Sequence, residues 1–372
     1  MRRLLPLLPT LLLLCAACAA PSARASQQTR GRQVRVLLAQ PQNAADIRAS
    51  GPFTLVNLDG GKKFKIAKGG VFKISKSGKE LRAGNIATAK GVRIELNNPA
   101  DYFTLGGVQY RGPLSVTPLR AGINITEHID LEDYLTGVLP YEMSPSWPLE
   151  ALKAQAVAAR TFTLKTIENT KNKDFDLYND VRSQMYKGTV KTYDSVKKAV
   201  EGTKGETMLY KGKIFPAYYH SNCGGHTNGG SENIKPLNGA KCGYCKGAPN
   251  YEWQKTLPKE ALNNYLKKNN IKGEIKKIKI GRKQAGGRAA TLVLITSKEK
   301  KEVNCGALRA AIGPDNLRSC VITKISGLKL QGRGYGHGKG LCQEGAKAMA
   351  LQGKSYKKIL ARYYPGAEIK KI

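Results

Sequence analysis

The sequence predicts an α+β fold, and three features predict it. Up to about position 116, short runs of alternating apolar and polar residues are punctuated by Gly, Asn, Asp and Pro, the pattern of strands joined by turns. From 131 to 164 the apolar residues recur at helical spacing instead. Beyond 164 the two periods mix. The 372-residue chain is 41% hydrophobic and 24% charged, a globular balance with enough length for a large core or two subdomains.

In the first part, segments at 34–38, 53–56, 64–66, 71–74, 92–96 and 108–110 read as strands, with turn signals at Asp59-Gly60-Gly61 and Ser77-Gly78. Lys65, Lys73, Arg93 and Gln109 fall at alternate positions, as in sheets wetted on one face. Few candidate catalytic groups lie here, so this region reads as a scaffold or a glycan-binding face. The stretch 131–164, LEDYLTGVLPYEMSPSWPLEALKAQAVAARTFTL, is the centre of the chain. Leu131, Tyr134, Leu135 and Val138 mark one helix, which Pro140 is expected to stop, leaving Glu142 in the following turn. Residues 144–148 form a rigid bend. Pro148 suits the first position of a second helix, with Ser146 or Trp147 as cap and Glu150 near the positive end of its dipole. Ala151, Ala154, Ala156, Ala158 and Ala159 let that helix pack closely against its neighbours. A carboxyl group held between two packed helices is positioned as an acid/base residue must be.

After 164 comes a looser segment with Asp174, Asp176, Asp180 and then SQMYKG. Next follow a helix at 193–201 stopped by Gly202, a hairpin across 207–219, a helix at 260–268, strands at 275–280 and 289–295, and a helix at 356–364 closed by Pro365-Gly366. There is no internal repeat and no low-complexity segment. The organisation expected is a leader at 1–25, a β-rich region at 26–120 and a catalytic region at 121–372, with a cleft between subdomains.

The leader is read from Arg2 and Arg3, the apolar run 4–20 and the small-x-small site Ala23-Arg24-Ala25, with cleavage after Ala25. Ala16-Ala17-Cys18 is a weak lipobox, so a lipid tether at Cys18 is the alternative to a soluble exported protein. No other run is apolar enough to span a bilayer. The protein is expected to be exported, as a periplasmic or wall- or membrane-associated protein. Its formal net charge of +35 implies an anionic partner or surface, or a lysine-rich bias. The lysines are spread over the chain without a nucleic-acid stripe, and export disfavours nucleic acid.

Two further stretches join the central one: YHSNCGGHT at 219–227 and GRGYGHGKGLCQEGA at 332–346. Together the three resemble, in order, the signature stretches of the SpoIID/LytB domain family, named for stage II sporulation protein D. AVEGTKGE at 199–206 and SYKKILARYYPG at 355–366 resemble it too. The resemblance spans core motifs at 131–164, 219–245 and 332–346, nearly all of the mature chain. It implies a SpoIID-like fold and a lytic transglycosylase that cleaves the MurNAc–GlcNAc bonds of glycan stripped of stem peptides, leaving 1,6-anhydro-MurNAc ends. It also implies a wall amidase acting upstream. LytB-type members supply the competing reading, a non-catalytic enhancer of an amidase.

The resemblance places the catalytic acid at Glu142, in the P-x-E-M sequence. The chemistry agrees: lytic cleavage uses one carboxyl group twice, first as acid and then as base. A hydrolase pairs two carboxyls about 5–9.5 Å apart. Glu132 and Asp133 read as solvated or capping residues. Glu142 needs a raised pKa, hence burial, with Trp147 or Tyr141 as candidate neighbours. Substrate-binding candidates are Gln155 and Arg160 on the second helix, His220 in the second motif, and Tyr335, His337 and Gln343 in the third. For Arg160 a structural ion pair is the alternative, and for His337 a structural role. The six glycines of the third motif are expected to let the backbone approach a ligand. Three positions depart from the family: Lys339 for valine, Leu341 for methionine and Cys342 for serine. Glu344 adds a second carboxyl that would complicate a single-acid mechanism if it faced Glu142.

Beyond the leader's Cys15 and Cys18, six cysteines remain. Cys305 and Cys320 are close enough in sequence to pair. Cys242-x-x-Cys245, with Cys223 and either His226 or His220, makes a four-ligand set suited to structural zinc. Disulfide pairing of Cys223 with Cys242 or Cys245 is the rival in an oxidising compartment. No metal is expected in catalysis.

Overall fold

In the computed structural model, residues 32–38, 42–67, 71–171 and 174–372 are described. The expected leader, with Cys15, Cys18 and its cleavage site, lies outside them. Three hydrophobic cores organise the described residues from Gln33 onward. The first belongs mainly to the β-rich part. A seven-stranded sheet runs in the order Leu177–Tyr178, Gln33–Leu37, Gly122–Asp130, Leu114–Leu119, Val92–Leu96, Phe53–Asn57, Lys63–Ile66. A six-stranded sheet, from Val108–Tyr110 to Ile86–Thr88, supplies Ile47, Ile74, Leu81 and Phe103 to the same core. Alternation does the sorting: in Val92–Leu96, Val92 and Ile94 are buried while Arg93 and Glu95 are half-exposed and pair with each other. The boundary expected at 120/121 falls in the turn of a hairpin, because Leu114–Leu119 pairs with Gly122–Asp130.

The long strand Gly122–Asp130 feeds directly into helix α1 (Leu131–Glu142), capped by the Asp130 carboxylate accepting from the Glu132 N–H. Leu131, Tyr134, Leu135 and Val138 are buried, as their spacing predicts. Pro140 does not stop the helix. It lies in the last turn, where its missing N–H removes only one bond, and Glu142 is the final helical residue rather than a member of the turn. Pro148 stands one residue before helix α2 (Leu149–Asn169), as its cap.

Helix α2 joins two cores. Ala156, Ala159 and Leu164 belong to the first. Ala151, Leu152, Ala154, Val157 and Ala158 belong to a second core, shared with Cys223, Cys242, Cys245 and Cys342 and with Ile359, Leu360 and Tyr363 from near the C-terminus. All five of its alanines are fully buried. Larger side chains there would overpack at about 1–3 kcal/mol each. Helix α3 (Asp194–Glu201) packs on α1 and α2. The third core, from Trp253 to Leu330, contains helix α4 (Lys259–Lys268), two three-stranded sheets and helix α5 (Cys305–Ile312), with the Cys305–Cys320 disulfide inside it. Helices α6 (Gln343–Leu351) and α7 (Tyr356–Tyr363) pack on α2. The architecture is α+β with a β-rich N-terminal part. No helix among the described residues is long and apolar enough to cross a membrane.

Candidate active site

The hairpin expected across 207–219 divides. Glu206–Tyr210 turns back into Lys213–Ile214, but Tyr219–His220 leaves and pairs in parallel with Leu341–Cys342. That two-residue ladder joins the second motif to the third. Two glycines of the third motif make this junction possible. Gly334, at φ 81°, is held so close to Asn222 and Gly224 that a Cβ would lie 2.6 Å from both backbones. Gly340, at φ 65°, leaves no room for a Cβ against the Tyr218 carbonyl. The junction sets Gln343 at the start of α6, buried and facing the end of α1.

Around Glu142 three motifs meet. Its Oε1 accepts from the Met185 N–H at 3.1 Å, and its Oε2 lies 3.5 Å from Gln343 Nε2. The same Gln343 nitrogen lies 3.5 Å from Gln155 Oε1 on α2. Tyr219, from the second motif, donates its hydroxyl to Gln184 at 2.7 Å and is also within hydrogen-bonding reach of Glu142. Gln184 in turn donates to Tyr134 and Thr163. Glu142 forms no ion pair among the described residues. Burial raises its pKa above the ordinary carboxylate value, and the contacts from Met185, Gln343 and Tyr219 oppose that only in part. Of the flanking aromatics, Tyr141 is 42% exposed, and Trp147 carries the Lys347 ammonium over its ring.

Gln343 therefore stands beside Glu142 with Gln155 behind it, and the other candidates are otherwise engaged. Arg160 is fully buried, forms a two-bond ion pair with Glu132 at 2.9 and 2.6 Å, and donates to the Glu206 carbonyl at 3.0 Å. It is a structural brace, since its side chain is only 1% exposed and out of reach of a sugar, and Glu132 is its partner rather than a solvated residue. Tyr335 donates to Asp315 at 2.7 Å, with the Arg318 guanidinium over its ring. His220 is buried, and its Nδ1 donates to the Lys339 carbonyl at 2.9 Å, which leaves Nε2 a bare acceptor. Burial and the neighbouring His337 ring push its pKa well below the usual value, so it is neutral. His337 is exposed, its Nδ1 accepting from the Lys339 N–H at 3.0 Å. Glu344 is half-buried, and its charge neighbour is Lys347. A cavity of about 650 Å³ beside α1, lined by Arg111, His128, Asp133 and Lys204 among others, does not include Glu142.

Met185, Gln184 and Tyr219 were not legible as site residues. Residues 183–186 read only as a loose segment, and a backbone N–H donor leaves no trace in residue identity. The thiol cluster also differs from the expected set. Cys223, Cys242 and Cys245 come together, but the fourth ligand-type residue is Cys342, the sulfurs all lying within 4.8 Å of one another. His226 turns away, its Nδ1 bonded to the Thr227 carbonyl at 2.6 Å, and His220 is held by Lys339.

The class the fold defines is an α+β protein that gathers three separated motifs around one partly buried carboxyl, Glu142. The sequence comparisons show the family. Residues 120–210 match the family model of the stage II sporulation protein, SpoIID. The chain is 38% identical over 279 residues to an uncharacterised protein of Brachyspira hyodysenteriae, covering 72% of this chain and 74% of that one. It is 31% identical over 280 residues to stage II sporulation protein D of Bacillus amyloliquefaciens, covering 69% and 79%. It is also 31% identical over 367 residues to the amidase enhancer of Bacillus subtilis, covering 82% of this chain but only 51% of that protein. The chain belongs to the SpoIID family. The names of these relatives, a sporulation protein and an amidase enhancer, support a cell-wall-related role.

Proposed function

We propose that the protein is a peptidoglycan lytic transglycosylase acting on glycan stripped of stem peptides, with Glu142 as general acid and then base. The observation that carries this reading is the environment of Glu142: a partly buried carboxyl with neutral hydrogen-bonding neighbours and no cation, so that it keeps its proton above the usual carboxylate range. The proton passes to the glycosidic oxygen as the bond from MurNAc C1 to GlcNAc O4 breaks. The sugar's own 6-hydroxyl attacks C1 and gives its proton to the Glu142 carboxylate, which returns the acid to its starting state. The product is a 1,6-anhydro end and no water is consumed. Gln343 and Gln155 orient the acid, Met185 N–H holds its other oxygen, and exposed Tyr141 and His337 offer contact surface for sugar. A net charge of +35 favours association with anionic wall polymers after export.

The second reading, a non-catalytic enhancer of a wall amidase, is favoured by the likeness to the amidase enhancer. Incubating the protein with denuded glycan strands and analysing the products by mass spectrometry separates the two. Anhydro ends made by the wild type and lost with Glu142→Gln support the enzyme. No anhydro product from the wild type, or undiminished product from the variant, rejects it.

A further inference from the structure

We infer that Cys223, Cys242, Cys245 and Cys342 bind one zinc ion through four thiolates, and that this ion fixes the start of the helix carrying Gln343. The four residues come from three segments and are all buried. A tetrahedral ion with bonds of about 2.3 Å to sulfur needs sulfurs about 3.8 Å apart. Cys223 and Cys245 lie 3.5 Å apart, Cys242 and Cys245 3.9 Å, and no pair exceeds 4.8 Å. That span fits a single ion, and four sulfur ligands select a soft one.

The surroundings fit a bound thiolate group as well. The Cys223 N–H points to Cys342 Sγ at 3.3 Å, and the Tyr363 hydroxyl lies 3.3 Å from Cys242 Sγ, placing donors on the sulfurs as metal thiolates require. Arg288 is buried and forms no salt bridge among the described residues, yet donates to the Cys223 carbonyl at 3.3 Å. Four thiolates on a divalent ion carry two net negative charges, which would offset a buried guanidinium. On binding, the four thiols release four protons and nothing is oxidised or reduced.

Cys342 immediately precedes Gln343, which lies 3.5 Å from Glu142. The ion would thus tie the loop at 242–245 and the second motif to the residue that orients the acid. This consequence rests on the proposed role of Glu142, but the metal assignment does not.

The test is elemental analysis of the purified full-length protein together with cobalt substitution. About one zinc per chain is expected, and the cobalt form should show intense visible bands of a tetrahedral site with sulfur-to-metal charge transfer. Cys245→Ser and Cys342→Ser should lose the metal equivalent, whereas His226→Ala should keep it. Cys342→Ser restores the serine usual in the family, so it is the variant best suited to stay folded. A strong chelator should lower the melting temperature of the wild type and leave that of Cys342→Ser unmoved. Metal-free protein with disulfides or four free thiols, iron in place of zinc, or loss of metal in His226→Ala would each overturn the inference. None of these readouts depends on glycan cleavage.

Discussion

The two ends of α1 carry glutamates with opposite fates. Glu132, in the first turn, meets the guanidinium of Arg160, whose side chain is only 1% exposed. Glu142, in the last turn, meets a backbone N–H, an amide and a phenol. The residue type and the helix are the same, so the difference lies in the partner. A cation makes one carboxyl a brace, whereas burial among neutral donors makes the other a reservoir for a proton. On the proposed function, the acid is defined by the charge withheld from it as much as by the groups supplied.

The largest effect expected from breaking this comparison is at Glu142. Glu142→Gln should lower glycan cleavage by about 10²–10⁴-fold, the usual range for a general acid, without unfolding the protein. Product analysis and circular dichroism on the same sample check both halves. At the other end, Arg160→Met should cost about 3–5 kcal/mol of stability, because it strips a buried partner from Glu132. Chemical denaturation reads this. The same variant, assayed where it remains folded, should keep the pH profile of cleavage. A shifted profile would place Arg160 in the acid machinery after all.

A third expectation concerns pH and stability. Glu127 is buried, accepts from Gly112 N–H and the Tyr186 hydroxyl, and has its pKa pushed up to about 7 by burial. Glu142 is shifted in the same direction. In both, the folded carboxyl holds its proton to higher pH than the unfolded one. The folded state therefore binds more protons in that window, and stability falls as pH rises from the ordinary carboxylate value towards 7. The rise from 4.5 to about 7 at Glu127 corresponds to at most about 3 kcal/mol. Glu127→Gln should flatten the pH dependence of the melting temperature, and an unchanged slope would sink this account of Glu127. The smallest effect is at Gln343. Its amide favours the charged form of Glu142, so Gln343→Leu should move the acid's pKa further upward, and only slightly, since the contact is 3.5 Å long. The pH–rate profile of cleavage measures it.

Much of this arrangement can be read from the sequence where periodicity or composition carries it. The apolar spacing of α1 and the alanines of α2 specify which faces are buried, because packing demands those sizes at those positions. The limits of α1 are less legible: Pro140 is compatible with the last turn of a helix, where the lost hydrogen bond matters little. Glu142 could be singled out from its motif, but not the Met185 N–H that holds it, since every residue but proline has one. Cys342 is not legible as a ligand because its partner strand, Tyr219–His220, lies about 120 positions away, and that parallel pairing brings it to Cys223. Arg160 is legible as a charged residue on an alanine-rich helix, but whether it faces substrate or Glu132 depends on contacts across 28 positions.

Burial holds the proton on Glu142 to higher pH than on an ordinary glutamate. Carboxyl-carbon NMR titration of glutamate-labelled wild type and Glu142→Gln tests this directly, the lost resonance identifying the residue. The lost resonance should titrate above the ordinary glutamate value. A lost resonance that titrates at or below that value would contradict it.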